Sequence, residues 1–521
     1  MTYKPQPVSD RSIHNENFDK YTYVRVNPFW IKLTYFIGIL TWILSLYGYV
    51  VFFNLNWVYW IAFAPIIFIF TIYYLLSYGI NIMYKKFDLD KHRETVEKFN
   101  LVKNKPSVDI LLPICGESMS MLERTWHHVS KLDYPNFKVY ILDDKGDQKA
   151  EELARHYGFN YLSRPNKGEM KKAGNLKFGF QNSHNKYIVI FDADFAPIPE
   201  FLNETAPYLE MDEKIGILQT PQYFEIHKST HDRSWLEYGA SANQEDFYNI
   251  IQPSRNEVGG AVCVGTNAIY RRSALEEIGG TALIDHSEDI WTGVLLLNKG
   301  YKVIYKAIIL ADGFCPEYHT SFFAQQYRWC KGSISLMRSK LFWSSSIPVK
   351  TKMTYRSGFL YYITSLFTYY MPFLIFVVLW NHFDQVNLNN SLPFLPYIFF
   401  SFAILPLTRS HYPRLGVVIS RFAASASFSL ALAHTIFGKD IAWVPTGSSV
   451  KGKNFWFNVT LLLNLFFYIA YISITIIFYM FGKLPLNNYD YWILEFWIVL
   501  NIFLTGIYLV NSGHDLFLKN A

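Results

Sequence analysis

Six long apolar runs surround a polar central block, and this pattern limits the possible folds more than any other feature of the chain. Each run carries few or no charges and is close to the roughly 20 residues that a helix needs to cross a bilayer. The runs lie near residues 33–53, 57–83, 357–381, 392–408, 457–481 and 490–510. Because 17% of the 521 residues are charged, the chain is too polar to lie wholly within a membrane. The pattern therefore predicts a soluble domain inserted in a bundle of about six transmembrane helices.

This prediction divides the chain into six segments. They are an N-terminal tail (1–32), two transmembrane helices (33–84), a soluble domain with interface helices (85–350), two transmembrane helices (351–410), an interface helix with a loop (411–456), and two transmembrane helices with a short C-terminus (457–521). Within 411–437, Arg421, His434 and several serines favour a helix in the membrane interface over a seventh span. The first 20 or so residues are predicted to be a flexible tail.

The distribution of Lys and Arg predicts the orientation of the bundle. The segment before residue 33 carries five of them and the loop 409–453 carries six, whereas the link 54–56 and the loop 382–391 carry none. Because cytoplasmic loops are enriched in these residues, we expect a multi-pass protein of the cell membrane with both termini and the soluble domain in the cytoplasm. The net charge of +6 largely reflects this bias, so it does not indicate nucleic-acid binding. The long polar stretch before the first run argues against a cleaved signal peptide.

Short apolar strands alternate with amphipathic stretches in the central block, which predicts a mostly parallel α/β sheet. Strands are expected at 108–112, 139–142 and 187–191, and helices at 118–132 and 147–157. Polar motifs follow the three strands directly, and ligands bind beyond the carboxyl ends of strands in such sheets. We therefore expect Glu117, Asp144 and Asp192 to meet at one edge. The four cysteines all lie in this block without a C-x-x-C pair, so they are predicted to be free thiols in a reducing cytosol.

Two carboxylates with a small residue between them, Asp192 and Asp194, follow the third strand. Hard oxygen ligands at this spacing suit Mg²⁺ or Mn²⁺, which neutralises a diphosphate leaving group. A solvated turn is the commoner explanation of such a motif on its own, but the preceding buried strand favours a site. Lys172 follows the basic stretch 164–168 near a helix start, where it is well placed to meet phosphate oxygens or, alternatively, to form part of a basic surface loop.

Two further motifs lie later in the block. Ser287, Glu288 and Asp289 precede a predicted helix that Ser287 is expected to cap, and Asp289 has the chemistry of a general base for group transfer to a hydroxyl. An acidic residue there also stabilises the helix dipole, so both interpretations remain open. Gln325 and Arg328 share a helical face, with Trp329 beside them. Arg suits a pyrophosphate and Trp a sugar ring, although an Arg-Trp pair is more often interface packing.

The motifs DD, KAGN, DxD, TPQ, VGTN, ED and QxxRW occur in this order between residues 105 and 335. In this combination the chain resembles the processive family 2 glycosyltransferases, above all the cellulose synthases and related β-glucan and capsule synthases. Hyaluronan and chitin synthases are more distant members. The resemblance implies a GT-A catalytic domain and a transmembrane bundle that moves a growing polysaccharide acceptor across the lipid bilayer. It implies a UDP-sugar donor, for which UDP-glucose is the leading candidate.

The resemblance also implies a role for individual residues. These are Asp144 for the uridine, Glu117 for the nucleotide pocket, Lys172 for the diphosphate, Asp192 beside the nucleotide, Asp194 for Mg²⁺ or Mn²⁺, Asp246 beside that metal, Asp289 with Glu288 as the catalytic pair, Gln325 and Arg328 for the diphosphate, and Trp329 for the acceptor. Asp289 is the implied base, and an α-linked donor gives a β-linked product.

The chain departs from the family pattern in three places. Ser287 stands where the family usually has Thr, and the gating loop of cellulose synthases is altered to Trp443–Gly447, with Thr446 as the implied substrate contact. No PilZ-type domain is expected after the last apolar run. Alternatives are a non-processive polyprenyl-phosphate glycosyltransferase, a hyaluronan- or chitin-type synthase that uses UDP-N-acetylglucosamine, and a transporter or scaffold with a non-catalytic insert.

Overall fold

The structure is a computed structural model. It describes residues 13–14, 18–225, 235–316, 318–382, 388–405, 415–438, 455–481, 499–500, 502–503, 505–510 and 512.

Ten strands of the described residues form two sheets. They are β1 (Val108–Ile114), β2 (Phe137–Asp143), β3 (Asn160–Leu162), β4 (Tyr187–Ile190), β5 (Ala196–Pro197), β6 (Ile215–Gln219), β7 (Tyr223–Glu225), β8 (Ala268–Arg271), β9 (Lys302–Tyr305) and β10 (Ala311–Phe314). The large sheet has the order β3-β2-β1-β4-β8-β6-β9, and the small one β5-β10-β7. Within the large sheet only β8 runs antiparallel to its neighbours. This arrangement confirms the predicted mixed, mostly parallel sheet.

The helices pack around this sheet and extend from it. They are α1 (Pro28–Phe53), α2 (Trp57–Ile82), α3 (Leu89–Asn100), α4 (Met119–Ser130), α5 (Gln148–His156), α6 (Lys171–Gln181), α7 (Phe201–Met211), α8 (Trp235–Asp246), α9 (Gln252–Asn256), α10 (Arg272–Glu276), α11 (Glu288–Asn298), α12 (His319–Arg338), α13 (Lys340–Ser344), α14 (Val349–His382), α15 (Leu388–Ser391), α16 (Leu395–Phe399), α17 (Leu415–Phe437) and α18 (Phe455–Met480). Single turns of 3-10 helix occupy Thr22–Arg25 and Leu392–Phe394, and π-helical turns occupy Phe247–Ile251 and Phe400–Ile404.

The predicted strands and helices of the central block form where their residue patterns place them. All seven residues of β1 and all four of β4 are buried, as the continuous apolar runs of strands covered on both faces require. Side-chain caps begin the helices that follow β1 and β2: Ser118 accepts from Met121 N before α4, and Asp147 accepts from Lys149 N before α5. Polar residues therefore end each strand and start each helix at the same edge of the sheet.

Three helices of the described residues are long and apolar enough to cross a membrane. They are α1, α2 and the Phe455–Ile477 part of α18, each with a mean hydropathy of 2.0. The predicted count of six spans is not confirmed. Within the run 392–408, residues 392–404 form successive 3-10, α- and π-helical turns instead of one regular α-helix. Most of 490–510 lies outside the described residues.

Helix α17, predicted to lie in the membrane interface, packs against α8, α12 and α14. Its residues Ile419, Ala423, Phe428 and Ala431 are buried. The helix thereby connects the soluble domain to α14, while its depth in a bilayer stays a prediction. The described part of the N-terminal segment differs from the flexible tail that was expected, since Ile13 is buried in the main core.

A buried ionic cluster fixes the register of the central strands. The carboxylate of Asp109 in β1 is fully buried and accepts bonds from the backbone and side-chain nitrogens of Asn185, each at 2.7 Å, and from Arg272 Nη2 at 3.0 Å. Asn185 precedes β4, and Arg272 follows β8. The cluster therefore ties together the neighbouring strands β1, β4 and β8.

Replacing Asp109 with Ala removes the acceptor that Arg272 and Asn185 share. Breaking a buried ion pair from one side costs about 3–5 kcal/mol. We expect the midpoint of thermal unfolding of the purified chain in detergent to fall by roughly 10 °C. Glu213→Ala, at an exposed position, is the control and should leave the midpoint nearly unchanged. Equal midpoints of thermal unfolding for the two variants would contradict the role of Asp109 in holding these strands together.

Candidate active site

A cavity of about 200 Å³ opens beyond the carboxyl ends of β1, β2 and β4. Ten of the predicted site residues line it: Glu117, Asp144, Lys172, Asp192, Asp194, Glu288, Asp289, Gln325, Arg328 and Trp329. The edge of the sheet therefore gathers side chains from six separate parts of the sequence. Of the remaining two, Asp246 does not line the cavity, and Thr446 lies outside the described residues.

The two aspartates after β2 have different roles. Asp143 is fully buried and holds the turn, accepting from Lys145 N at 2.8 Å, Asp147 N at 2.7 Å and the Tyr161 hydroxyl at 2.7 Å. Asp144 instead lines the cavity. The first carboxylate thus fixes the backbone that presents the second.

Arg164 is the main residue that the sequence prediction missed. Its Nε and Nη2 atoms bind the two carboxylate oxygens of Asp144 at 2.5 and 2.8 Å, and its side chain is nearly fully buried. It also donates to the carbonyl oxygens of Glu169 at 2.6 Å and Lys171 at 3.2 Å. One guanidinium therefore positions Asp144 together with the turn that begins α6. The basic stretch 164–168 was the only sequence signal, and it did not distinguish Arg164 from its neighbours.

Lys172 lies in the first turn of α6, as predicted. Met170 and Lys171 before it have positive φ angles of 53° and 49°, which turn the chain sharply into the helix. The Lys172 ammonium contacts Asp192, lies 3.6 Å from Glu288 Oε1 and donates to Gly265 O at 3.1 Å. Burial lowers the pKa of Lys172, but the charges of Asp192 and Glu288 outweigh this effect and raise the pKa above its usual value. Lys172 is therefore a shared counter-ion for two carboxylates.

The backbone of the Asp192–Asp194 motif is held from two sides. Thr266 Oγ1 accepts from Asp192 N at 2.9 Å, and Thr125 Oγ1 donates to Ala193 O at 2.7 Å. Burial and the negative charge of Asp192 raise the pKa of Asp194 to about 7. The crowded carboxylates thus repel each other.

The donor set fits a divalent cation that is shared with a phosphate ligand. The cavity lining has seven carboxylates and three basic side chains, so negative charge is in excess. Among the described residues no group of three or more His, Cys, Asp or Glu residues could enclose a metal. Mg²⁺ is commonly bound through one or two carboxylates together with substrate phosphates and waters, and Asp192 with Asp194 can supply those carboxylates.

The role of Asp246 beside this metal stays a prediction, and Asp246 is not among the residues that line the cavity. Asp246 is the last residue of α8, and α8 packs along α17, where Asn243 Nδ2 donates to Ser420 Oγ at 2.6 Å. The packing of α8 on this neighbouring helix keeps Asp246 out of the cavity lining.

Glu288 and Asp289 form the first turn of α11, but Ser287 does not cap it. Ser287 has a φ of 57° and makes no side-chain capping bond, because its side chain packs closely on Gly332 of α12. Gly265, with a φ of +79°, lies so near Asp289 that a Cβ there would be 3.1 Å from Asp289 Oδ2. Burial and the charge of Glu288 raise the pKa of Asp289 to about 7.

Gln325 and Arg328 share one face of α12, as their spacing predicted, and Trp329 lines the cavity beside them. Burial lowers the pKa of Arg328 to about 10, so its guanidinium stays charged at neutral pH. The site therefore combines a carboxylate that can accept a proton near pH 7, two further carboxylates suited to a cation, and two cationic groups suited to phosphate oxygens.

Comparisons with known proteins identify the central domain. Residues 109–279 match the family described as "Glycosyl transferase family 2". The chain is similar to a UDP-forming cellulose synthase catalytic subunit of Xanthomonas axonopodis pv. citri, at 30% identity over 236 residues, and to the cellulose synthase 1 catalytic subunit of Komagataeibacter xylinus, at 32% over 235 residues. Each alignment covers 45% of this chain, and the chain spans about a third of the length of these relatives. The resemblance drawn from the motifs is confirmed for this part of the chain.

A solved mannosyltransferase of Pyrobaculum calidifontis, in complex with GDP-Man and Mn²⁺, is 15% identical, with coverage of 71% of this chain and 100% of that chain and a TM-score of 0.48. The strand order and the single antiparallel strand of the large sheet agree with the expected GT-A domain.

Cys115 offers a chemical test of the cavity, because it is partly exposed there while Cys263, Cys315 and Cys330 are buried. Burial and the charge of Glu117 raise the pKa of Cys115 to about 11. Since the thiolate is the reacting form, we expect the rate of iodoacetamide labelling of the folded protein to rise about tenfold per pH unit from about pH 7 to pH 9. Mass spectrometry would locate the label, and Cys115→Ser is the control. Rapid labelling of the other three cysteines in the folded protein would contradict their burial and the exposure of Cys115 alone.

Proposed function

We propose that this chain, whose residues 109–279 match glycosyl transferase family 2, is a cellulose synthase-like enzyme that polymerises UDP-glucose into a β-linked polysaccharide and moves the product across the cell membrane. The observation that carries the proposal is the meeting of Asp194, Asp289 and Arg328 in one cavity. A cation ligand, a base and a phosphate ligand are the groups that transfer of a sugar from a nucleotide diphosphate requires.

In the proposed reaction, Asp144 and Glu117 bind the nucleoside, and Arg164 holds Asp144 in place. Lys172, Gln325 and Arg328 bind the diphosphate. The charge of Arg328 persists despite burial, so it can offset negative charge as the sugar leaves. These assignments rest on the cavity lining and on the motif resemblance.

Asp192 and Asp194 are the residues that would hold Mg²⁺ or Mn²⁺. When bound, such a cation supplies charge neutralisation for the diphosphate leaving group. Burial and the nearby charge of Asp192 raise the pKa of Asp194, and this crowding of carboxylates is the structural feature that favours a cation there.

Asp289 is the proposed general base. Its carboxylate takes the proton of the acceptor hydroxyl as that oxygen forms a bond to C1 of the donor glucose, and the C1–oxygen bond to the diphosphate breaks to release UDP. Attack from the face opposite the leaving group inverts the α-linked donor to a β-linked product. Glu288 keeps Lys172 near this centre, at 3.6 Å from its ammonium.

Processive synthesis and export are supported by the contacts of α12. This helix carries Gln325, Arg328 and Trp329, and it packs against α14 and α17. Trp329 is proposed to stack on the acceptor end, since aromatic faces pack on the apolar faces of sugar rings. The basic segments on one side of the apolar runs support a cytoplasmic catalytic domain in the plasma membrane.

The decisive experiment incubates the full chain in nanodiscs with Mn²⁺ and either UDP-glucose or UDP-N-acetylglucosamine. UDP release and the glycosidic linkages of any product are measured. A polymer from UDP-glucose supports the proposal. A polymer from UDP-N-acetylglucosamine instead identifies a hyaluronan- or chitin-type synthase, and a lipid-linked monosaccharide identifies a non-processive enzyme. No turnover with either donor contradicts the proposal.

Asp289→Asn keeps the shape of the base but removes its ability to accept the proton. Since a positioned general base contributes about 10²–10⁴-fold to a rate, we expect kcat to fall by about that factor. The Kd for UDP with Mn²⁺ should change by less than about threefold, because the base contacts the acceptor and not the nucleotide. Asp133→Asn, at an exposed position, is the matched control. A parallel loss of UDP binding would show that Asp289 supports the nucleotide instead.

The pKa of Asp289 also predicts the pH dependence of the reaction. Only the deprotonated carboxylate acts as a base, and burial raises the pKa to about 7. The protonated fraction grows as the pH falls, so kcat/KM should decline below about pH 7 and approach a tenfold loss per pH unit below about pH 6. The profile is measured at saturating Mn²⁺, since cation binding keeps the Asp194 carboxylate deprotonated. A flat profile between about pH 5.5 and pH 8 would rule out this base.

A further inference from the structure

An ion pair lies directly behind the Asp192–Asp194 motif. Arg124 Nη2 of α4 binds Asp312 Oδ2 of β10 at 2.6 Å, and the Asp312 side chain is fully buried. The Arg124 guanidinium also lies over the ring of Phe314, 4.6 Å from its centroid. The pair joins two elements that are 188 residues apart in the sequence.

The sequence neighbours of this ion pair touch the backbone of the motif. Thr125, next to Arg124, donates to Ala193 O at 2.7 Å. Gly313, next to Asp312, approaches so closely that a Cβ would lie 2.8 Å from Asp194 O. Strand β10 also pairs with β5, where Asp312 is opposite Ala196. The ion pair therefore links two elements, α4 and β10, whose segments 124–125 and 312–313 contact the carbonyl groups of residues 193 and 194. These two elements are called the clamp below.

The N-terminal segment supplies the third member of this cluster. His14 Nε2 lies 2.9 Å from Asp312 Oδ1, and the His14 ring stacks on His128 of α4 at a centroid distance of 3.7 Å. His14 thus contacts both arms of the clamp, through Asp312 on β10 and through His128 on α4.

The N-terminal segment also binds the residues that directly precede β10. Ile309 N donates to Lys20 O at 3.0 Å, and Lys20 Nζ pairs with Glu204 Oε1 of α7 at 2.6 Å. Eight residues after Lys20 the chain enters α1, a helix long enough to cross a membrane. The segment therefore connects the first apolar helix to the strand behind the Asp192–Asp194 motif.

We propose that His14 and Arg124 are positioning residues for the cation and diphosphate site, acting through Asp312, and that the N-terminal segment thereby sets the affinity for the donor. This inference rests on the proposed function, because it assigns Asp192 and Asp194 to a nucleotide-bound cation. Neither positioning residue lines the cavity, so each acts through the backbone of residues 193 and 194.

The test measures UDP binding by the full chain in detergent, once with Mn²⁺ and once with EDTA. Residues that orient metal ligands from behind typically change metal affinity about 10–100-fold. We expect His14→Ala and Arg124→Met to raise the Kd for UDP about tenfold or more with Mn²⁺. The Kd in EDTA should stay unchanged, because the nucleoside contacts at Asp144 lie elsewhere in the cavity. A general loss of folding would weaken both affinities together.

Two control variants test whether the hydrogen bond between His14 and Asp312 is responsible for the effect. His14→Gln keeps a side-chain N–H donor and should restore most of the Mn²⁺-dependent affinity. His127→Ala removes an exposed histidine from the same helix that carries Arg124 and should bind UDP as the wild type does. Equal binding by His14→Ala and the wild type, or an equal loss in His14→Gln and His14→Ala, would overturn the inference. Absence of Mn²⁺-dependent UDP binding in the wild type would instead count against the proposed function.

Discussion

The shared counter-ion Lys172 is the interaction on which the cavity depends. Carboxylates taken out of water are strongly destabilising unless they are paired. Asp192 and Glu288 come from different parts of the fold, at the end of β4 and the start of α11, and one ammonium contacts the first and lies 3.6 Å from the second. The position of Lys172 depends in turn on Arg164, which binds the carbonyl oxygen of Lys171 at 3.2 Å. A chain of cationic groups thus makes an acidic cavity compatible with a folded domain.

The geometry of the sheet explains why these groups meet. Parallel strands end at a common edge, so β1, β2 and β4 deliver their following residues to one side. The antiparallel strand β8 starts at that same edge, and the residues just before it support the site: Thr266 accepts from Asp192 N, and Gly265 borders both Lys172 and Asp289. One reversed strand is therefore what brings supporting backbone to the acidic motifs.

Local patterns predicted β1, β2 and β4 and the helices α4 and α5, because continuous apolar runs and the polar residues that end them are visible in adjacent residues. The same patterns pointed to ten residues that line one cavity. Partnerships across the chain were not predictable in this way. Arg164 and His14 look like surface residues in sequence, and only the folded chain shows that they bind Asp144 and Asp312. The local sequence around Asp246 likewise does not reveal that α8 packs on α17. Ser287 is a residue type that often caps helices, but here it has a positive φ and its side chain packs on Gly332 instead.

The pairing of Lys172 with Asp192 has a consequence for how a donor binds. In the proposed site the same ammonium serves a diphosphate, and the same carboxylate serves a cation, so binding must exchange both partners of the pair. Each partner is replaced by a group of the same sign, because phosphate oxygens replace Asp192 at Lys172 while a divalent cation replaces Lys172 at Asp192. A cation alone would leave Lys172 without its nearest carboxylate, and a diphosphate alone would leave the half-buried Asp192 without a counter-charge. Each ligand therefore removes the cost that the other creates, which makes their binding mutually cooperative.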